Sequence, residues 1–252
     1  MKYSGLYFVN NPSMNLEAAV NTVNTLVQGI ESSYQTATRQ TPWMLQYRLF
    51  RDTIPPGNTP ATDAEGKSKP FAHTLQHFLQ LSTIDPNRAY ICVQPPNGTS
   101  TVTAIPYRQQ EPLALLLRHQ FSALWQPRQV LTIPQGTAYN VGLFTVQIGE
   151  LRLTREGPQS GGIQSPGVFI CISTTVDGGD PDEAQGHTDD GEDEIDFEYA
   201  QAVIRECWSR IKANRDLGKS ETREVMMAPE NLKKQQKEAS VRMWCEGLRL
   251  RG

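Results

Sequence analysis

The sequence predicts an α+β fold in which an antiparallel sheet or barrel is flanked by helices. Stretches with strand character outnumber helical ones along its 252 residues, and they fall in blocks: strand, helix, several strands, helix, several strands. Each parallel neighbour in a sheet needs a crossover of a dozen or more residues, usually a helix, and the helices here are too few to supply them. Blocks of short strands joined by turns favour an antiparallel sheet or a barrel.

Residues Tyr3 to Val9 are aromatic and β-branched and stop at Asn10, Asn11 and Pro12, the pattern of a strand closed by a turn. With Ser13 as candidate cap, Leu16, Val20, Val23, Val27 and Ile30 recur at spacings of three and four and predict a helix with one apolar stripe on a core. Trp43, Leu45, Tyr47 and Leu49 alternate with Met44, Gln46 and Arg48, the period of a half-buried strand. Asp52 to Lys69 holds Pro55, Pro56, Pro60, Gly57 and Gly66 with little apolar content. It cannot offset its ordering entropy by burial and reads as a flexible loop. Phe71 to Leu81 fits either period: Phe71, Leu75, Phe78 and Leu79 make a helical stripe, while Phe71, Leu75, Leu79 and Leu81 share one strand face. Ala89 to Val93 and Thr101 to Ile105 flank a Pro-Pro-Asn-Gly turn and form a hairpin.

Pro112 suits a first helical turn, and Leu113, Leu116, Leu117, Phe121 and Leu124 extend a second helix to near Trp125 and Pro127. Strands follow at Arg128 to Ile133, Val141 to Ile148, Glu150 to Thr154 and Gly167 to Ser173, with Gly149 where a bulge could bend the chain. A third helix carries Val203 or Ile204, Cys207, Trp208 and Ile211 on one side. Beyond Asn214 the stripe fails. Residues 215–252, with nine bases and six acids, read as a polar tail with one possible helix over Glu230 to Leu248. The expected organisation is one folded, β-barrel-like unit over 1–212, with a flexible loop at 52–69 and an acidic insertion at 177–194. A mobile tail occupies 213–252.

The net charge of −3 conceals an asymmetry. Asp177 to Glu198 holds 11 acids and no Lys or Arg, so the rest of the chain carries 27 − 11 = 16 acids against 24 bases, a balance of +8. The bases are scattered and not interleaved with aromatics, which argues against direct, sequence-specific nucleic-acid readout. No window reaches the ~20 consecutive apolar residues that span a bilayer, so no membrane association is expected. Leu6 to Val9 is too short and too soon followed by Asn10, Asn11 and Pro12 for a signal peptide. Cys92, Cys171, Cys207 and Cys245 lack paired spacing, which suits reduced thiols in the nucleus or cytosol.

No catalytic, cofactor-binding or metal-ligating set emerges. His73, His77, His119 and His187 have no companion Cys or carboxylate at metal-ligand spacing. Gly157, Gly161 and Gly162 lack the Lys-Ser/Thr of a phosphate loop. In a strand, Glu192, Glu194, Asp196 and Glu198 would point one way into a barrel lumen and could hold a divalent metal. A triphosphate would also need facing cations, and the strands offer only isolated Arg48, Arg108, Arg128, Arg152 and Arg155. The plainer reading is an acidic linker entering a helix N-terminus, where carboxylates are favoured and Ile195, Tyr199 and Val203 continue the helical period. Trp125 and Trp208 each close an apolar stripe, as core residues or as partner anchors.

The run Phe121 to Val130 (FSALWQPRQV), followed by Tyr139 to Gly149 (YNVGLFTVQIG), resembles the Mediator subunit 20 family, whose members end a helix in a Trp-x-x-Arg-Gln turn before an apolar strand. The loop Gly157 to Gly167 leading to Val168–Ile172 is similar in position and character, and weaker similarity extends over about residues 3–211. The resemblance implies an antiparallel β-barrel-like sheet flanked by helices, similar to triphosphate tunnel enzymes, and favours the strand reading of Phe71 to Leu81. It implies no catalytic residue and no cofactor. The implied role is a non-enzymatic, nuclear subunit of the Mediator head module that forms a heterodimer with the related subunit 18. Tethering through the C-terminal helix of Mediator subunit 8 is implied too, as are links to TATA-binding protein and RNA polymerase II. Two other classes compete: a metal-dependent triphosphatase using Glu192, Glu194 and Asp196, and a lipocalin-type barrel with an apolar, ligand-sized lumen.

Overall fold

A computed structural model describes residues 2–53, 71–154, 162–175, 190–228 and 232–249, excluding the side chains of 190–196 and 232–235. The expected loop at 52–69, beyond Thr53, and the acidic insertion at 177–194, before Asp190, lie outside the described residues. The chain is α+β, with a large antiparallel sheet flanked by helices, as its strand-rich blocks require. It divides into two compact units, one of residues 1–45 and 131–252, the other of residues 46–130.

The first unit contains β1 (Lys2–Asn10), α1 (Leu16–Ser33), β2 (Thr38–Arg39), the start of β3 (Trp43–Asp52) and most of β7 (Trp125–Val141). It continues with β8 (Phe144–Thr154), β9 (Gln164–Thr175), α3 (Asp190–Lys212), β10 (Thr222–Met226) and α4 (Leu232–Leu248). Its strand order is β10-β1-β9-β8-β7, with β2 on β7. β1 is antiparallel to β9 from Lys2↔Thr175 to Asn10↔Gly167 and to β10 from Gly5↔Met226 to Val9↔Thr222.

Burial along β1 does not alternate, because both of its faces are covered. Tyr3 meets Phe197 and Tyr7 stacks on Trp208 with ring centroids 4.8 Å apart, both partners on α3. A Cβ on Gly5 would stand 2.8 Å from Ile204 Cγ2, on the same side. The intervening Leu6 points the other way, to α4, where a Cβ on Gly247 would come within 2.3 Å of its Cδ2. On that face Trp244 packs against Phe169 and Trp43, with centroids 5.7 and 5.8 Å apart.

Among the described residues of 213–252 the chain is therefore not the polar tail that its charge suggested. β10 extends the sheet and α4 buries Ala239, Val241, Met243, Trp244, Cys245 and Leu248. The charged residues of this stretch lie where they also bond: Arg223 donates to the Glu246 carbonyl at 2.6 Å, and Arg205 reaches Glu224 at 2.9 Å. Of the possible helix expected over Glu230 to Leu248, the described residues from Leu232 onward are helical, as α4.

α1 forms where its period places it, but Asn15 rather than Ser13 caps it, accepting from the Glu17 N–H at 2.9 Å. The buried face is Ala19, Leu26, Gly29 and Ile30, with Val20 38% exposed, so the apolar stripe is rotated from the expected one. Gly29 decides this: a Cβ there would lie 2.2 Å from the Ile211 carbonyl, and α1 crosses α3 where it has no side chain.

Arg128 to Ile133 belongs to one long β7, which turns at Gly142 and Leu143 into an unbroken β8. Gly142, at φ +70°, opens this two-residue turn in the handedness that matches strand twist. The expected bend at Gly149 is absent. Gly149 pairs in register with Phe169, and the irregularity falls between Leu151 and Leu153. Glycine is needed at 149 for space, since a Cβ would sit 2.5 Å from Ile133 Cγ2 and 3.1 Å from Trp43.

The second unit is built from β3 beyond Leu45, β4 (Leu75–Leu81), β5 (Arg88–Gln94), β6 (Thr101–Pro106), a 3-10 turn (Tyr107–Gln109), α2 (Gln110–His119) and the first residues of β7. Its strand order is β7-β3-β4-β5-β6, which resolves Phe71 to Leu81 as a strand from Leu75 onward. Phe50, Phe78, Ala114 and Leu117 form one buried cluster in it, with Ile91, Leu113 and Trp125 packed against them. α2 stops at His119, short of the expected end near Trp125, because Gln120 and Phe121 both donate to the Leu116 carbonyl and the chain folds back.

Trp244 is 1% exposed between Trp43 and Phe169. Trp244→Ala should lower unfolding free energy by about 3–5 kcal/mol, the usual cost of emptying a buried aromatic site. Urea denaturation followed by circular dichroism measures the loss, and a loss under ~1 kcal/mol would mean that α4 does not pack as described.

Candidate interaction surface

Each residue weighed for chemistry has a definite place. Asp190 to Lys212 is helical, so Glu192, Glu194, Asp196 and Glu198 are ~200° apart at each step of two and cannot form the one-sided ladder of a strand. The helix-entry reading of this stretch is the one that the backbone follows. His73 and His77 part company. His73 Nδ1 is 2.7 Å from Asp52 Oδ1, whose other oxygen accepts the Thr74 N–H at 3.0 Å. His77 is buried in β4 with Nδ1 2.8 Å from the Tyr47 hydroxyl. No group of three His, Cys, Asp or Glu side chains converges among the described residues.

The arginines do not converge either. Arg48 pairs with Glu111 at 2.5 Å, Arg152 pairs with Glu150, Arg108 and Arg128 are exposed, and Arg155 lies outside the described residues. Trp208 is a core residue, stacked on Tyr7, and Trp125 is half-buried on the core of the second unit. All four cysteines are buried thiols. Desolvation pushes Cys171 up to about 11 from 9.0, and desolvation does the same to Cys207, also to about 11. Thiols so held neutral are poor nucleophiles. Burial likewise raises the Tyr7 and Tyr34 phenols well above their ordinary value.

The distinctive features are on the surface. The strand orders end at β10 in the first unit and at β6 in the second. The β10 end carries charge: Arg223 and Glu224 tie it to α4 and α3 through Glu246 and Arg205. β6 reads Thr-Val-Thr-Ala-Ile-Pro, with no charged residue, and Thr101, Thr103 and Ala104 are exposed. An uncharged, β-branched edge with unpaired backbone groups is a ready template for another strand, and natural proteins ordinarily guard such edges with charge. Directly after β6, Tyr107, Leu115, Phe121 and Leu124 leave large apolar side chains in solvent along and just beyond α2. Sequence reasoning missed both features. Thr101 to Ile105 was legible as a strand but not as an edge, and the α2 stripe placed Phe121 and Leu124 inside.

A described surface that offers a bare strand edge and an apolar helix face, without a convergent polar site, is that of a protein made to join other chains. The family model described as TATA-binding related factor (TRF) of subunit 20 of Mediator complex matches residues 1–244, and the chain belongs to this family. It is therefore a Mediator subunit. No curated protein matches the sequence. Among solved structures, the chain is similar to the Schizosaccharomyces pombe Mediator head module, with TM-score 0.39 and 12% identity over 86% of this chain and 97% of that one. It is also similar to the PH1819 protein from Pyrococcus horikoshii OT3, with TM-score 0.35 and 12% identity over 82% of this chain and 89% of that one. Family membership follows from the sequence match.

A thiol that burial keeps neutral holds its proton more tightly folded than unfolded. Stability from Cys171 and Cys207 is thus complete below pH 9.0 and falls as pH rises toward about 11. Urea midpoints measured across this range should decline, and less steeply in the Cys171→Ala, Cys207→Ala double variant. An equal decline in both proteins would contradict the assignment.

Proposed function

We propose that this chain is a non-enzymatic subunit of the Mediator head module that works in the nucleus by assembly. It forms a heterodimer with the related subunit 18, is tethered by the C-terminal helix of subunit 8, and supports RNA polymerase II initiation together with TATA-binding protein. The family match over residues 1–244 carries the reading. The charge-free β6 edge fits it, since strand addition gives main-chain affinity and alternate side chains give specificity. A permanent pairing of this kind should bury on the order of 2,000 Å² or more, so surface beyond the six edge residues must join it. The triphosphatase alternative loses its metal ladder to the helical backbone of α3.

Co-expression with cognate subunit 18 and the C-terminal segment of subunit 8, followed by light scattering, should give one stoichiometric species. A monodisperse monomer that ignores both partners would sink the proposal. Thr103→Lys places a charge on the exposed β6 edge and should weaken the complex at least ~tenfold without changing the melting of the free chain. Undiminished assembly would move the contact away from β6.

A further inference from the structure

The 3-10 turn runs directly into α2, in which Glu111 and Leu115 stand four residues apart on one side, with Arg118 and His119 next along it. Gln110, Ala114 and Leu117 make the buried side, and Glu111, Leu115, Arg118 and His119 are exposed. At its end the chain doubles back: the Phe121 N–H returns to Leu116 O at 3.1 Å, and the Leu124 N–H to Phe121 O at 2.9 Å. Thr53 fixes that turn, donating its N–H to Leu124 O at 2.9 Å and its hydroxyl to Ala123 O at 2.5 Å. Tyr107, Leu115, Phe121 and Leu124 remain 39, 42, 42 and 58% exposed, a group of large apolar side chains held on a braced scaffold.

The surroundings are cationic. The described residues of this unit include six arginines, at 48, 51, 88, 108, 118 and 128, against three acids, Asp52, Asp85 and Glu111. Each acid is already engaged. Glu111 meets Arg48 at 2.5 Å, Asp52 meets His73 at 2.7 Å, and Asp85 accepts the Asn87 N–H at 3.0 Å. Arg108 stands in the 3-10 turn and Arg118 on α2, and Arg128 opens β7 just past the turn after it, all exposed. A second copy of this chain would bring cations against cations, which disfavours self-pairing.

We propose that the outer face of α2 and the turn after it form a docking site for an acidic, amphipathic segment of another protein. Its apolar side chains would pack on Leu115, Phe121 and Leu124, and its carboxylates would meet Arg108 and Arg128. Its residues lie beyond the six of β6, and its occupancy is read on the chain alone, without subunit 18.

The test uses the full chain and a fluorescein-labelled synthetic peptide that alternates Asp-Glu pairs with Leu and Phe, followed by fluorescence polarisation. Binding should occur and weaken with salt. It should drop at least ~tenfold in Leu115→Ser, Leu124→Ser and in Arg108→Glu, Arg128→Glu, two double variants whose melting stays unchanged because the side chains are exposed. The same peptide with lysine for its acids should not bind. Absence of binding to the unaltered chain, binding untouched by either variant, or equal binding of the lysine peptide would overturn the proposal. So would self-association of the chain that vanishes in the Leu115→Ser, Leu124→Ser variant, which would assign the face to a second copy.

Discussion

Alternation along β1 sends Tyr3, Gly5 and Tyr7 to α3 and Leu6 to α4, and this two-sided burial is the constraint on which the first unit rests. A strand covered on one face can keep polar residues on the other, whereas β1 and its neighbour β9 must be apolar or small almost throughout. In β9 every position from Ser165 to Thr174 is buried. Polar side chains admitted there find partners across the strands where they can, as Ser4 and Ser173 do through their hydroxyls at 2.8 Å. The glycines mark where the layers press closest, Gly5 under α3, Gly247 over Leu6 and Gly29 at the crossing of α1 and α3. With each buried Leu, Val or Ile side chain worth roughly 1.5–3 kcal/mol, two covered faces give this unit far more stabilisation than one could.

The same arrangement explains what could and could not be read from the sequence. β3 declared itself, because from Trp43 to Leu49 it buries one face and period and burial coincide, whereas the period of α1 gave the helix but not its buried face, which Gly29 sets. β4 was ambiguous for the opposite reason: Phe78 to Leu81 are all buried, which erases the alternation that would separate strand from helix. α4 was legible only as a possible helix in a polar stretch, because its two-turn apolar segment Val241 to Leu248 is flanked by Lys and Glu whose stems can lie along the surface while their charges reach water. β10, only five residues with a charged pair at its centre, carries no local signal, and its pairing with β1 is a tertiary decision. The helical fate of Glu192 to Glu198 was legible in the continuing period through Ile211. Function was legible only as resemblance, since a surface made for other chains needs no residue types that chemistry would demand.

The second unit treats its surface differently. Beside the cluster of Phe50, Phe78, Ala114 and Leu117, the chain leaves further large apolar residues in solvent. Phe121 and Leu124 are excluded from that cluster because α2 ends at His119 and the turn braced by Thr53 carries them outward. Their outward direction is thus set by backbone hydrogen bonds, whether or not anything covers them.

Pairing of β1 with β9 joins residues far apart in sequence, and the Ser4–Ser173 bond closes a separation of 169 residues. Such a register cannot nucleate locally. The chain must meet the loop-closure entropy before any of the two-sided burial is gained, which places the first unit among slow, topologically demanding folders. Until that closure Leu6, Phe169 and Trp244 lack the cover they give one another, and apolar surface left open in this way is prone to aggregation.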